Sequence, residues 1–183
     1  MDPFENPYAA THVDSFNAPS KRPLKKPVSA TVFGVLHLIF GILGAVGTPL
    51  NFISISMINS HDRPPNPAWD VMRDTPGYMT FYIASLAIGF VMSIVLIVAG
   101  MGLLKDKPSG RTLSIWYGFA SLLIGVGSTA INFFLLYEPL SQLGGPEGTI
   151  ILAIGFIGAA VGAIYPILTL IFMYRRNVVE YFQ

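Results

Sequence analysis

The chain contains no cysteine. Disulfides, thiolate nucleophiles and cysteine-held zinc or iron–sulfur centres are therefore excluded. Charge is scarce as well: Asp, Glu, Lys and Arg make up 11% of 183 residues, against about a quarter in an average soluble domain. Only three histidines are present, His12, His37 and His61. They are too scattered to supply the paired ligands of a haem inside one apolar region.

What the chain does have is long apolar sequence. Four runs, at 28–58, 77–104, 112–137 and 148–174, contain no Lys, Arg, Asp or Glu. Each is longer than the roughly 20 residues a helix needs to cross a hydrocarbon core about 30 Å thick. In that core a helix satisfies its own backbone hydrogen bonds, so helices are the expected form of an open chain. The pattern predicts an all-α protein, a polytopic four-transmembrane-helix antiparallel bundle. The first run is too long, and starts too far from the amino terminus, for a cleaved leader, and it is expected to be retained as a span.

The basic residues are unevenly placed. Lys21, Arg22, Lys25 and Lys26 precede the first run, Lys105, Lys107 and Arg111 join the second to the third, and Arg175 and Arg176 follow the fourth. Only Arg63 and Arg73 lie on the other side. The positive-inside rule then predicts both termini in the cytoplasm of a multi-pass protein of the inner membrane. Residues 1–27 are rich in Pro, Asn and Ala without an apolar period and are expected to form a disordered tail. Residues 28–176 form the membrane domain, 59–76 an outer loop and 177–183 a short cytoplasmic tail.

Small and polar residues in the runs follow a helical stripe. Gly34, His37, Gly41, Gly44, Thr48 and Asn51 are spaced alternately by three and four, which keeps them on one face. Ser114, Gly118, Ser121, Gly125, Ser128 and Asn132 repeat the device, as do Gly155, Gly158, Gly162, Tyr165 and Thr169. The second run offers only Tyr82, Ser85 and Gly89 before larger residues take over. In lipid, helices associate through close backbone approach at small residues and through interhelical hydrogen bonds. Gly34, Gly41, Gly44, Gly118, Gly125, Gly155, Gly158 and Gly162 are thus the expected packing positions, and the three-four spacing favours a left-handed bundle. The GxxxG pattern of Gly158 and Gly162 is assigned to an internal contact rather than to dimerisation.

Depth counting pairs some of the polar groups. At about 1.5 Å of rise per residue, His37 lies roughly 14 Å and Tyr165 roughly 15 Å from the cytoplasmic ends of their helices. Asn51 and Asn132 both lie roughly 32 to 35 Å away, near the outer interface. We therefore expect His37 to face Tyr165, and Asn51 and Asn132 to meet or cap the outer end. Pro49 and Pro166 should free carbonyls that neighbouring polar groups can satisfy.

A buried carboxylate, the usual mark of a coupled transporter, is missing from every run. His37 reads as a hydrogen-bonded interhelical histidine in preference to a proton relay or haem ligand. His61, Asp62, Asp70 and Asp74 match no metal-ligand spacing and are interrupted by prolines. No hydroxyl, base and carboxylate grouping recurs within the spans. The expectation is a protein without enzymatic activity, cofactor, metal site or nucleic-acid partner, and the sequence names no transported small molecule. Its partners are the lipid bilayer and either another protein or further copies of itself. The leading function is structural, scaffolding or interaction; the alternative is a small transporter or channel component.

"NPY" in the tail, "TVFGVLHLIFGILG", "GMGLLKDKPSGRTLSIWYG" and "YPILTLIFMYRRNVVEYF" together resemble small bacterial four-span integral membrane proteins. The resemblance covers most of the chain and implies a membrane bundle. It brings no catalytic residues with it.

Overall fold

The computed structural model describes residues 25–58, 67–142 and 146–183. Six helices follow one another: α1 Val28–Ile58, α2 Pro67–Asp74, α3 Tyr78–Leu104, α4 Pro108–Ser141, α5 Pro146–Met173 and α6 Arg176–Tyr181. Among the described residues there is no strand. Four of the helices, α1, α3, α4 and α5, are long and apolar enough to cross a membrane. Their apolar side chains point largely outward: Phe134, Leu123 and Trp116 are among many that stay exposed. Such a surface suits lipid and not water, which makes this a multi-pass membrane protein.

The helices form a bundle in chain order. α1 lies along α3, α3 against α4 and α4 against α5, while α1 and α5 approach over only a short stretch. The third span is longer than its uncharged core, because Pro108 starts α4 at its first helical position and the helix runs on through Glu138 and Pro139. Two short helices fall in segments expected to be loop and tail. α2 sits in the loop between the first and second spans, and α6 in the carboxy-terminal tail.

Each end of the bundle has its own apolar plug. At the end carrying the α3–α4 turn, Ala30, Phe33, Leu103 and Met173 pack with Val178 and Phe182 of the α6 segment. The tail thus folds back onto the helices. At the other end Tyr78, Leu136 and Leu140 are covered by Val71 and Met72 from α2.

The α3–α4 turn is built from backbone geometry. The N–H of Lys107 donates to Gly102 C=O at 2.9 Å and that of Asp106 to Leu103 C=O at 3.4 Å, the paired bonds of a Schellman cap. Asp106 takes the left-handed position with φ 56°, a place where glycine is usual and Asp is tolerated. Lys26 reaches across to this turn, its Nζ 2.6 Å from Asp106 Oδ1 and 2.9 Å from Leu104 C=O. Arg111 Nε likewise donates to Met173 C=O at 3.1 Å. Both cations therefore sit at helix carboxy-terminal ends, where the dipole favours them.

Proline is carried inside α1, α4 and α5 at Pro49, Pro139 and Pro166. The expected rescue of freed carbonyls takes a different course. A proline at position i leaves the C=O of residue i−4 without its partner, so Pro49 and Pro166 free Ala45 and Gly162. Thr48 Oγ1 instead donates to Gly44 C=O at 2.9 Å, Asn51 Nδ2 to Gly47 C=O at 2.9 Å and Thr169 Oγ1 to Tyr165 C=O at 2.9 Å. A side chain reaches most easily one turn back along its own helix, and that carbonyl is not the freed one.

Candidate functional site

His37 is completely buried, with 0% of its surface exposed. Its Nδ1 is hydrogen-bonded to the Tyr165 hydroxyl of α5, and its Nε2 lies 3.0 Å from Ser114 Oγ of α4. Three helices meet at one imidazole. Ser114 Oγ in turn donates to Gly110 C=O at 2.8 Å.

The proton positions follow from counting hydrogens. A serine hydroxyl has one hydrogen, and Ser114 commits it to a carbonyl, so toward His37 it can only accept. Nε2 therefore carries the imidazole proton, Nδ1 is the lone-pair nitrogen, and Tyr165 donates into it. For a neutral imidazole the chain runs Tyr165 O–H to His37 to Ser114 to Gly110 C=O.

Aromatic rings enclose this chain. Phe40 meets Tyr165 edge to face with centroids 4.7 Å apart, Phe33 stacks on Tyr165 at 6.2 Å, and Tyr117 approaches both His37 and Tyr165 at 6.0 and 6.4 Å. They shut water out on those sides and hold the phenol in register with the imidazole.

The packing glycines divide into two groups. A Cβ on Gly34 would meet the Leu104 side chain at 2.9 Å, and on Gly41 the Ser93 carbonyl at 2.9 Å; on Gly44 it would collide with the Ser93 hydroxyl. A Cβ on Gly118 would meet Leu170 at 2.7 Å. These four are true close approaches. Gly125, Gly155, Gly158 and Gly162 have nothing within 4 Å of such a Cβ. The expectation that these four bring helices together is corrected: Gly125 and Gly162 line a groove of about 840 Å³ between α4 and α5, Gly155 lines a separate pocket of about 260 Å³, and Gly158 lies exposed.

The two asparagines do not meet in the described structure. Asn51 bonds to Gly47 C=O, and Asn132 Nδ2 donates to Ser128 C=O at 2.8 Å, each within its own helix. Neither reaches another helix among the described residues. Of the four candidate ligands in the loop between the first and second spans, His61 and Asp62 lie outside the described residues, while Asp70 and Asp74 each hold Arg73 at 3.1 Å. Among the described residues no group of three His, Cys, Asp or Glu side chains is placed to hold a metal.

Residues that spacing alone did not single out complete the picture. Ser114 belongs to the third stripe, but its pairing with His37 depends on how far α4 is rotated, which a stripe does not specify. Lys26 and Asp106 join two segments far apart in sequence, and no local pattern announces that.

No family model, curated protein or solved structure matches this chain.

Proposed function

We propose that the protein is a structural or interaction component of a bacterial inner membrane, with both termini in the cytoplasm and no catalytic activity. The observation that carries this reading is the closure of the His37 chain. Its hydrogen bonds end on a backbone carbonyl, and among the described residues no buried side-chain nitrogen or oxygen lacks a partner. A proton pathway needs a group that can release or take up a proton toward solvent, and a charged relay needs a carboxylate or cation within reach. Here the imidazole joins α1, α4 and α5 instead. The unequal placement of Lys and Arg supports the orientation.

The alternative, a small transporter or channel component, draws support from the unfilled space between α4 and α5. The two readings separate in one experiment. Proximity crosslinking in the native membrane, followed by mass spectrometry, should recover a defined partner that is lost when residues 1–24 or 59–76 are deleted. Recovery of self-contacts alone, together with loss of a transport phenotype in a folded His37→Ala protein, overturns the interaction reading. An active periplasmic reporter fused after Gln183 overturns the orientation.

A further inference from the structure

Beside the His37 chain lies a second space, separate from the α4–α5 groove. It is a cleft of about 350 Å³ whose walls come from all four spanning helices: Phe40 of α1, Gly89, Met92 and Ser93 of α3, Tyr117 of α4 and Tyr165 of α5. The volume lies within the range of small-molecule sites, which are mostly apolar with a few placed polar groups. Phe40 is 43% exposed and Gly89 is exposed, so the cleft opens sideways on the lipid-facing surface.

The polar groups of its walls narrow the ligand. Tyr165 spends its hydroxyl hydrogen on His37 Nδ1, as the proton count above requires. Ser93 spends its hydrogen on Gly89 C=O at 2.8 Å. On α3 and α5 these two hydroxyl oxygens keep only lone pairs, while the Tyr117 hydroxyl of α4 adds an O–H to the wall. A single hydroxyl on the ligand can donate to one of the first two oxygens and accept from Tyr117. None of the described wall residues is charged, and an ion would lose its hydration at this depth without a counter-ion, so the ligand is neutral. Phe40, Tyr117 and Tyr165 present ring edges and faces, and Met92 adds a thioether, surroundings that favour a flat aromatic ring.

We propose that this cleft binds an uncharged, lipid-soluble phenol: a flat ring that enters from the bilayer and donates one O–H to the Tyr165 or Ser93 oxygen. The site is independent of the scaffolding reading, since it requires neither a protein partner nor transport.

Gly89 supplies a clean blocking position. A Cβ there meets nothing within 4 Å, so Gly89→Phe places a ring in the cleft without a backbone clash. The test uses the full chain in lipid nanodiscs, with 2-naphthol as a fluorescent probe and 2-methoxynaphthalene as its donor-less counterpart. Empty nanodiscs define simple partitioning, and thermal melting verifies that each variant is folded. We expect saturable 2-naphthol binding above the empty-disc level, at least tenfold weaker binding of the methyl ether, and at least tenfold weaker 2-naphthol binding to Gly89→Phe. Ser93→Ala, which keeps the cleft open, is expected to weaken 2-naphthol severalfold and leave the methyl ether unchanged. Absence of saturable 2-naphthol binding, equal binding of the two probes, or binding undiminished in folded Gly89→Phe overturns the proposal.

Discussion

Gly102 and Gly110 face each other across the α3–α4 turn so closely that a Cβ on Gly102 would lie 2.6 Å from the Gly110 Cα. The obstacle is backbone on both sides, and no rotamer change can relieve it. Gly102→Ala or Gly110→Ala should therefore destabilise the bundle at the upper end of the overpacking range, about 3 kcal/mol. Thermal melting in detergent measures this. The control is Gly158→Ala, where the added methyl meets nothing within 4 Å and the better helix propensity of alanine is worth up to about 1 kcal/mol. A larger loss at Gly158 than at Gly110 would contradict the packing described.

The hydrogen count at His37 makes a spectroscopic prediction. With Ser114 accepting from Nε2 and Tyr165 donating to Nδ1, ¹⁵N spectra of labelled His37 should show the proton on Nε2 and a bare Nδ1. Tyr165→Phe removes one interhelical hydrogen bond and should cost about 0.6 to 2 kcal/mol. The Nε2–H signal should survive that change and be the one perturbed by Ser114→Ala.

Asp106 gives the α3–α4 turn a dependence on pH. Its carboxyl is held below the usual aspartate range, chiefly by the hydrogen bond from Lys26 and further by that from Tyr181 and the Lys26 charge. As pH falls, the unfolded chain takes up the proton first. The contribution is therefore complete above about pH 4 and is lost as pH falls through the lower folded value. Melting temperatures of wild type and Asp106→Asn should converge in acid, and the difference should be small because the pair is partly exposed. Asn suits the comparison because it too tolerates the left-handed backbone.

Phe182 tests whether the carboxy-terminal segment is part of the fold. It is 6% exposed and packs with Phe33, Leu103 and Met173 in one cluster. Phe182→Ala should cost about 3 kcal/mol, as removal of a buried aromatic ring does elsewhere. An unchanged melting temperature would mean that α6 does not hold the end of the bundle.

Several of these features can be traced to the sequence and others cannot, for physical reasons. Uncharged runs longer than a bilayer leave little alternative to spanning helices. Counting rise per residue brings His37 and Tyr165 to one level, and their side chains meet. A stripe of small residues, however, says only that a backbone can come close. Gly34 and Gly118 are approached while Gly125 and Gly162 are not, because the divergence of α4 and α5 depends on the whole bundle. Asn51 and Asn132 share a depth, yet each finds a carbonyl one turn away in its own helix, and a local bond of that kind outcompetes a distant one. α2 and α6 are too short for a strong periodic signal, and their positions come from Val71, Met72, Val178 and Phe182 finding apolar ends to cover.

The order in which the helices touch also bears on how the chain is assembled. α1 with α3, α3 with α4 and α4 with α5 are neighbours in synthesis as well as in space, so each span can dock on the one before it as it enters the membrane. The first and last spans meet over only a short stretch, and there the Tyr165 hydroxyl finds the imidazole of His37. That bond cannot form until the final span is in place. Of the two side chains that bond His37, Ser114 comes with the third span and Tyr165 with the fourth, so the chain order of the helices makes the Tyr165 bond the last of the two that can close the buried polar chain.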